Sequence, residues 1–147
     1  MLYVNYGGVM NKVELQIALI VRIAQADGKV TEEEKAALRN FCDTINYSLT
    51  STEFQNLFDN EFKFNELLVN LSGLTMEDKL ETLSLCYRVA NSDTNYSIKE
   101  KELIYSIAKA IGMKTDDPAK LDDWFNLIDL MDQIKGKIIS ARMQLFN

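Results

Sequence analysis

Four carboxylates stand where the chain could do chemistry. Asp27 and Glu34 form one pair, and Asp93 and Glu100 repeat it 66 positions later, from 27 to 93 and from 34 to 100. Hard oxygen donors on a rigid frame suit Mg²⁺, Ca²⁺ or Mn²⁺ and not a metal that prefers imidazole or thiolate. Should the two copies fold back on each other as a two-fold pair, the four groups become one shared divalent-cation site. Paired carboxylates can also serve a metal-dependent hydrolase or related enzyme. That alternative needs a pocket and a positioned substrate, and no nucleophile motif or phosphate loop accompanies them.

Each carboxylate also has a plainer job. Thr31-x-x-Glu34 and Ser97-x-x-Glu100 are capping boxes, in which the hydroxyl and the glutamate each satisfy a free N–H of the first helical turn. Asp27 and Asp93 are turn-formers whose side chains bond nearby backbone. A calcium-loop alignment half fits. With Asp27 at loop position five, Gly28, Val30 and Glu34 fall at positions six, eight and twelve, but Ile23 and Gln25 then occupy positions that require oxygen ligands. The second joint has Val89 and Asn91 there. An EF-hand is therefore rejected.

The pairs sit at the joints of a doubled helix–joint–helix pattern. Ala24 corresponds to Ala90, Arg22 to Arg88, Leu19 to Leu85, Leu38 to Ile104 and Phe41 to Ile107, without a gap. Asn11, with Glu14 three residues on, caps a first helix running to about Ala26. Its stripe of Val13, Ile17, Ile20, Val21 and Ala24 is widened by Leu15, Leu19 and Ile23, as befits a central helix. Gly28 permits a stop. Thr31 caps a second helix to about Ile45, with Ala37, Leu38, Phe41, Cys42 and Ile45 inward. A third helix starts at Thr50, and Phe54, Leu57, Phe58 and Phe62 supply its apolar face. A fourth runs from about Phe64 to Leu71 and ends at Gly73. Thr75 caps a fifth, the twin of the first. Ser97 caps a sixth, which buries Leu103, Ile104, Ile107, Ala108 and Ile111 and stops at Gly112. Asp117-Pro118 is a strong start signal for a last helix to Phe146. Unbroken, that helix has about 29 residues and spans roughly 43 Å, against a radius of gyration of about 15 Å for a globule of this size. A break near Gly136, or a projecting end that meets a partner, is expected.

Bulk properties agree with an all-α, single-domain helical bundle of about seven helices carrying an internal two-fold helix–turn–helix repeat. One proline and six glycines in 147 residues leave little room for tight turns. The expected division is a lead-in over 1–10, bearing Tyr3, Tyr6 and Gly7-Gly8, and one helical domain over 11–147. A net charge of −6 disfavours nucleic acid and anionic membrane as partners. There is no histidine, which removes His-based dyads and the usual zinc sets. Cys42 and Cys86 lack paired spacing and read as apolar fillers in a reducing compartment. The apolar run from Leu15 to Ala26 is interrupted by Glu14, Gln16 and Arg22 at its edges and interior and has no basic start, so it reads as mature helix and the protein as cytoplasmic.

The run Ala24-x-Ala26-Asp27-Gly28-x-Val30-x-x-x-Glu34, its echo from Asp93 to Glu100, and the Ala108-x-x-Ile111-Gly112 helix end resemble the tellurite-resistance TerB-like family over about residues 11–135. The resemblance implies one all-helical domain with internal pseudo-symmetry, a bacterial cytoplasmic stress-response or scaffolding role, and a surface acidic cluster that binds metal. Carried over, that cluster is Asp27, Glu34, Asp93 and Glu100. The sequence departs from the pattern at Thr94, where glycine is more usual.

Taken together, the expectation is a helical interaction or scaffold module with a divalent cation (Mg²⁺, Ca²⁺ or Mn²⁺) held at the acidic joints and no zinc, haem or nucleotide. A protein partner is expected, met through the C-terminal helix, with membrane reached only via a partner. The metal-dependent enzyme and a purely structural subunit are the alternatives.

Overall fold

Small hydroxyl and amide side chains decide where the helices begin. In a computed structural model, which describes residues 10–92, 97–114 and 116–146, seven α-helices follow in order: α1 Lys12–Ala24, α2 Glu32–Thr44, α3 Ser51–Leu57, α4 Phe64–Ser72, α5 Met76–Ala90, α6 Ile98–Ala110 and α7 Pro118–Phe146. The described residues contain no strand. Asn11, Thr31, Thr50 and Ser97 each close a complete capping box with the glutamate three residues on. Thr75 accepts from the Asp78 N–H without a reciprocal bond. Each such cap is worth about 1 kcal/mol. The lead-in residues 1–9 and the joint residues Asp93, Thr94 and Tyr96 lie outside the described set.

Residues up to Met113 form one compact unit and those from Lys114 a second. In the first, α1 is the centre. Nine of its thirteen residues are buried, so it touches neighbours on every side, packing chiefly on α5 and also on α2, α4 and α6. Burying a Leu or Ile side chain stabilises by about 1.5–3 kcal/mol, and α1 alone hides Leu15, Ile17, Leu19, Ile20 and Ile23. The one polar intruder, Gln16, donates from Nε2 to Thr82 Oγ1 on α5 at 3.1 Å. At the end of α1, Gln25 Nε2 donates to the carbonyls of Phe58 and Asn60, at 2.9 and 3.2 Å. That pair of bonds ties the α3–α4 link to the first joint. Arg39 lies 4.8 Å over the Phe54 ring and donates to the Leu49 carbonyl at 3.2 Å, fastening α2 to α3.

Helices α2 and α6 match in detail. The bounds of α6 are those of α2 moved by 66 positions, and so are their ends. Tyr47 N–H donates to Cys42 O at 2.8 Å and Met113 N–H to Ala108 O at 3.0 Å. These are the six-to-one bonds of a Schellman stop. The stop needs a left-handed residue, which is Asn46 (φ 56°) in one and Gly112 (φ 107°) in the other.

Several local expectations are corrected. Ile45 is exposed rather than inward, because α2 ends at Thr44 and Ile45 is its C-cap. Phe62 is buried but lies beyond α3, which stops at Leu57, so the third aromatic face is shared between helix and link. Gly73 ends α4 as expected, with φ −81°, a conformation open to any residue. In the second unit α7 is continuous through Gly136, and the break expected there does not occur. A helix of good helix-formers tolerates one glycine at about 1 kcal/mol. Asp117 Oδ1 accepts from the Ala119 N–H at 3.0 Å and starts α7 as foreseen.

Candidate metal centre

Each capping box leaves its glutamate half used. Thr31 N–H and Thr31 Oγ1 donate to Glu34 Oε1 at 3.0 and 3.1 Å, while Glu34 N–H donates to Thr31 Oγ1 at 3.1 Å. Ser97 N–H donates to Glu100 Oε1 at 3.3 Å and Glu100 N–H to Ser97 Oγ at 3.1 Å. An ordinary capping glutamate keeps its second oxygen in water. Here both side chains are buried, Glu34 3% and Glu100 1% exposed. The Oε2 atom of each is fully enclosed with no hydrogen-bond donor on it.

The two carboxyl groups lie close enough to act on one another, through charge and hydrogen bonding. Burial pushes Glu34 up to about 7, against the lowering effect of the Thr31 N–H, and the charge of Glu100 adds to the rise. Glu100 is raised too, by burial first, against the Ser97 bonds, and the Asp27 charge contributes upward. Two carboxylates in a dry site cannot both ionise cheaply, so the pair holds one proton between them or takes a cation.

Of the four residues expected at the centre, the structure brings Glu34 and Glu100 close enough to act on each other. Asp27 is exposed on its joint, where Oδ1 accepts from the Lys29 N–H at 3.0 Å in an Asx turn at Gly28 (φ 81°). It is near enough for its charge to bear on Glu100. Asp93 lies outside the described residues. Among the described residues no three His, Cys, Asp or Glu groups gather at ligand distance. The donor set nevertheless fits a hard cation in one respect that capping does not explain: two buried carboxylate oxygens lack a partner, and an unmatched buried acceptor calls for an ion or a proton. Glu34 and Glu100 are the residues that would hold the ion, with Asp27 beside them.

The chain matches the family model described as tellurite resistance protein TerB over residues 14–123. The chain belongs to the TerB family. No curated protein and no solved structure matches it. The TerB region takes in α1 to α6 and the first turns of α7, so the facing glutamates lie inside it and most of α7 lies beyond.

Three features of the TerB unit were not foreseen from sequence. The Gln16–Thr82 bond is one, although a polar residue inside each of two corresponding apolar helices was the available signal. A second is the ion pairing of Lys12 with Asp78 and Glu81, at 3.4 and 3.3 Å. The third is an open cleft of about 670 Å³ beside the first joint, lined by Arg22, Gln25, Gly28, Phe58, Asn60 and Lys63 among others. Neither glutamate of the pair lines it. Both cysteines are buried. Burial raises the Cys42 thiol and pushes Cys86 up to about 12, which leaves them unreactive.

Proposed function

We propose that this TerB chain is a helical scaffold module that binds a divalent cation between its two duplicated joints. Glu34 and Glu100 are its central ligands, Asp27 is the outer carboxylate of the first joint, and Asp93 completes the acidic set. The observation that carries the proposal is the pair of enclosed, unpartnered Oε2 atoms on two glutamates close enough to act on one another. Carboxylate oxygens select Mg²⁺, Ca²⁺ or Mn²⁺ by hardness. Water and backbone carbonyls complete the shell of such ions in ordinary sites. Bound there, the ion would neutralise the two carboxylates and clamp α2 to α6 through their first turns.

The duplication supports the same reading. Lys12 meets Asp78, Gln16 meets Thr82 and Glu34 meets Glu100, and every one of these pairs joins positions 66 apart. Residues that touch their own counterparts lie near a two-fold axis, so we read α1–α2 and α5–α6 as two copies of one ancestral unit. A scaffold in a bacterial cytoplasmic stress response is the setting that TerB membership suggests. Among the described residues no helix is long and apolar enough to cross a membrane. The metal-dependent enzyme has no observation in its favour, since the glutamates close on each other and not on the cleft.

Isothermal titration of chelator-treated full chain with Mg²⁺, Ca²⁺ and Mn²⁺ at pH 7.5 tests the proposal. Saturable heat is expected with at least one ion, weakened in D27N and absent in E34Q/E100Q. No heat at millimolar metal, or heat unchanged in the double variant, overturns it.

A further inference from the structure

We infer that α7 from Leu127 to Leu145 is a docking seam for a partner helix whose flanks are acidic. Leu127, Met131, Ile134, Ile138, Ala141 and Leu145 recur at alternating intervals of four and three residues. That alternation keeps one narrow apolar stripe in line along a helix of α7's length and is the spacing of a coiled-coil seam. From Leu127 to Leu145 the stripe runs about 27 Å. Leu127, Met131, Ile134, Ile138 and Leu145 are 54, 60, 49, 63 and 80% exposed. A continuous apolar stripe of this size in water marks an interaction surface. It lies past residue 123, where the TerB match ends.

Charge chooses the occupant. The positions that flank such a seam are Ile128, Lys135 and Arg142 on one side and Leu130, Lys137 and Gln144 on the other. Every charge among them is positive. Flanking positions set partner choice through ion pairs across the seam. A second copy fits poorly in either direction. Parallel pairing sets Lys137 of one copy against Arg142 of the other. Antiparallel pairing of the exposed stripe sets Lys135 against Lys135 and Lys137 against Lys137. A helix with an apolar seam and Asp or Glu on both flanks meets no such repulsion and gains three complementary contacts. This assignment does not depend on the cation site.

The test uses the full chain and two fluorescein-labelled three-heptad peptides with Leu and Ile at the seam, one with Glu on both flanks and one with Lys. Anisotropy at low salt is expected to show binding of the Glu-flanked peptide. The Lys-flanked peptide should bind at least roughly tenfold more weakly, since three exposed ion pairs together are worth about that factor. The exposed triple variant K135E/K137E/R142E should reverse the preference with unchanged circular dichroism, and I134D/I138D should bind neither peptide. The inference is overturned by equal binding of the two peptides or by binding of neither. It is also overturned by a seam-dependent dimer in light scattering of the chain alone, or by phosphatidylglycerol vesicles taking up the chain more tightly than the Glu-flanked peptide does.

Discussion

Gln16 on α1 donates from Nε2 to Thr82 Oγ1 on α5, and both residues are buried where the two helices pack together. The threonine hydroxyl is in turn directed at the Asp78 carbonyl, 2.7 Å away. Removing one partner of such a bond leaves the other desolvated and unmatched. Thr82→Val keeps the shape and strands the Gln16 amide, so a loss of about 1–3 kcal/mol is expected in urea denaturation. Gln16→Leu combined with Thr82→Val removes both polar groups. It should cost less than the two single changes added together. Strict additivity would show that the two side chains are not coupled.

The facing glutamates make stability depend on pH in an unusual direction. Glu34 is near 4.5 when exposed and is pushed up to about 7 in the fold, so between those values the native state holds more protons than the unfolded chain. Stability is then complete below about pH 4.5 for this group and is lost as pH rises through 7, the reverse of a salt-bridged acid. The loss in metal-free protein should be on the order of 2–3 kcal/mol by pH 8. Glu34→Gln keeps an Oε1 acceptor for the Thr31 cap and offers an N–H₂ to Glu100. Its difference from wild type, measured as melting temperature against pH in chelator, should be small at pH 5 and favour the variant at pH 8. A wild-type curve that rises from pH 5 to 8 in parallel with the variant would remove the shared proton from the account.

A saturating divalent cation should cancel that fall. The ion competes with the proton for the same oxygens, so its affinity rises with pH and its binding releases protons. In wild type the metal-induced gain in melting temperature should therefore be large at pH 8 and vanish near pH 5. In Glu100→Gln it should be absent at both. A gain of equal size at pH 5 and pH 8 would place the ion away from the glutamate pair.

Much of this was legible in the chain because local chemistry governed it. The boxes at Asn11, Thr31, Thr50 and Ser97 and the stop at Gly112 are contests between neighbouring backbone and side-chain groups, decided within a few residues. The carboxylates Asp27, Glu34, Asp93 and Glu100 stand out as candidates by the same means, through their repetition. What sequence could not show was burial. A capping glutamate reads the same whether its free oxygen meets water or another glutamate, and only the packing of α2 and α6 around α1 decides. Gln16 was hidden for the same reason, since its partner is far along the chain. Ile45 and Phe62 are apolar at positions where the helix has already ended, and there apolar type does not report a helix face.

Gly28 and Gly73 separate these two kinds of information in a way that substitution can measure. Gly73 is the C-cap of α4 and Gly28 lies three residues past the C-cap of α1, yet both invite the same reading as stop signals. Gly28 has φ 81° and an added Cβ meets nothing within 4 Å, so any penalty at this site is backbone strain alone. Gly73 has φ −81°, and an added Cβ makes only an ordinary 3.5 Å contact with the Asn70 carbonyl. Gly28→Ala should destabilise by about 1 kcal/mol, because alanine must enter the left-handed region. Gly73→Ala should be neutral or stabilise by up to about 1 kcal/mol, because it restricts only the unfolded chain. Parallel thermal melts of the two variants decide the matter. Equal losses at both positions would mean that the glycine at the end of α4 also takes up a left-handed turn in solution.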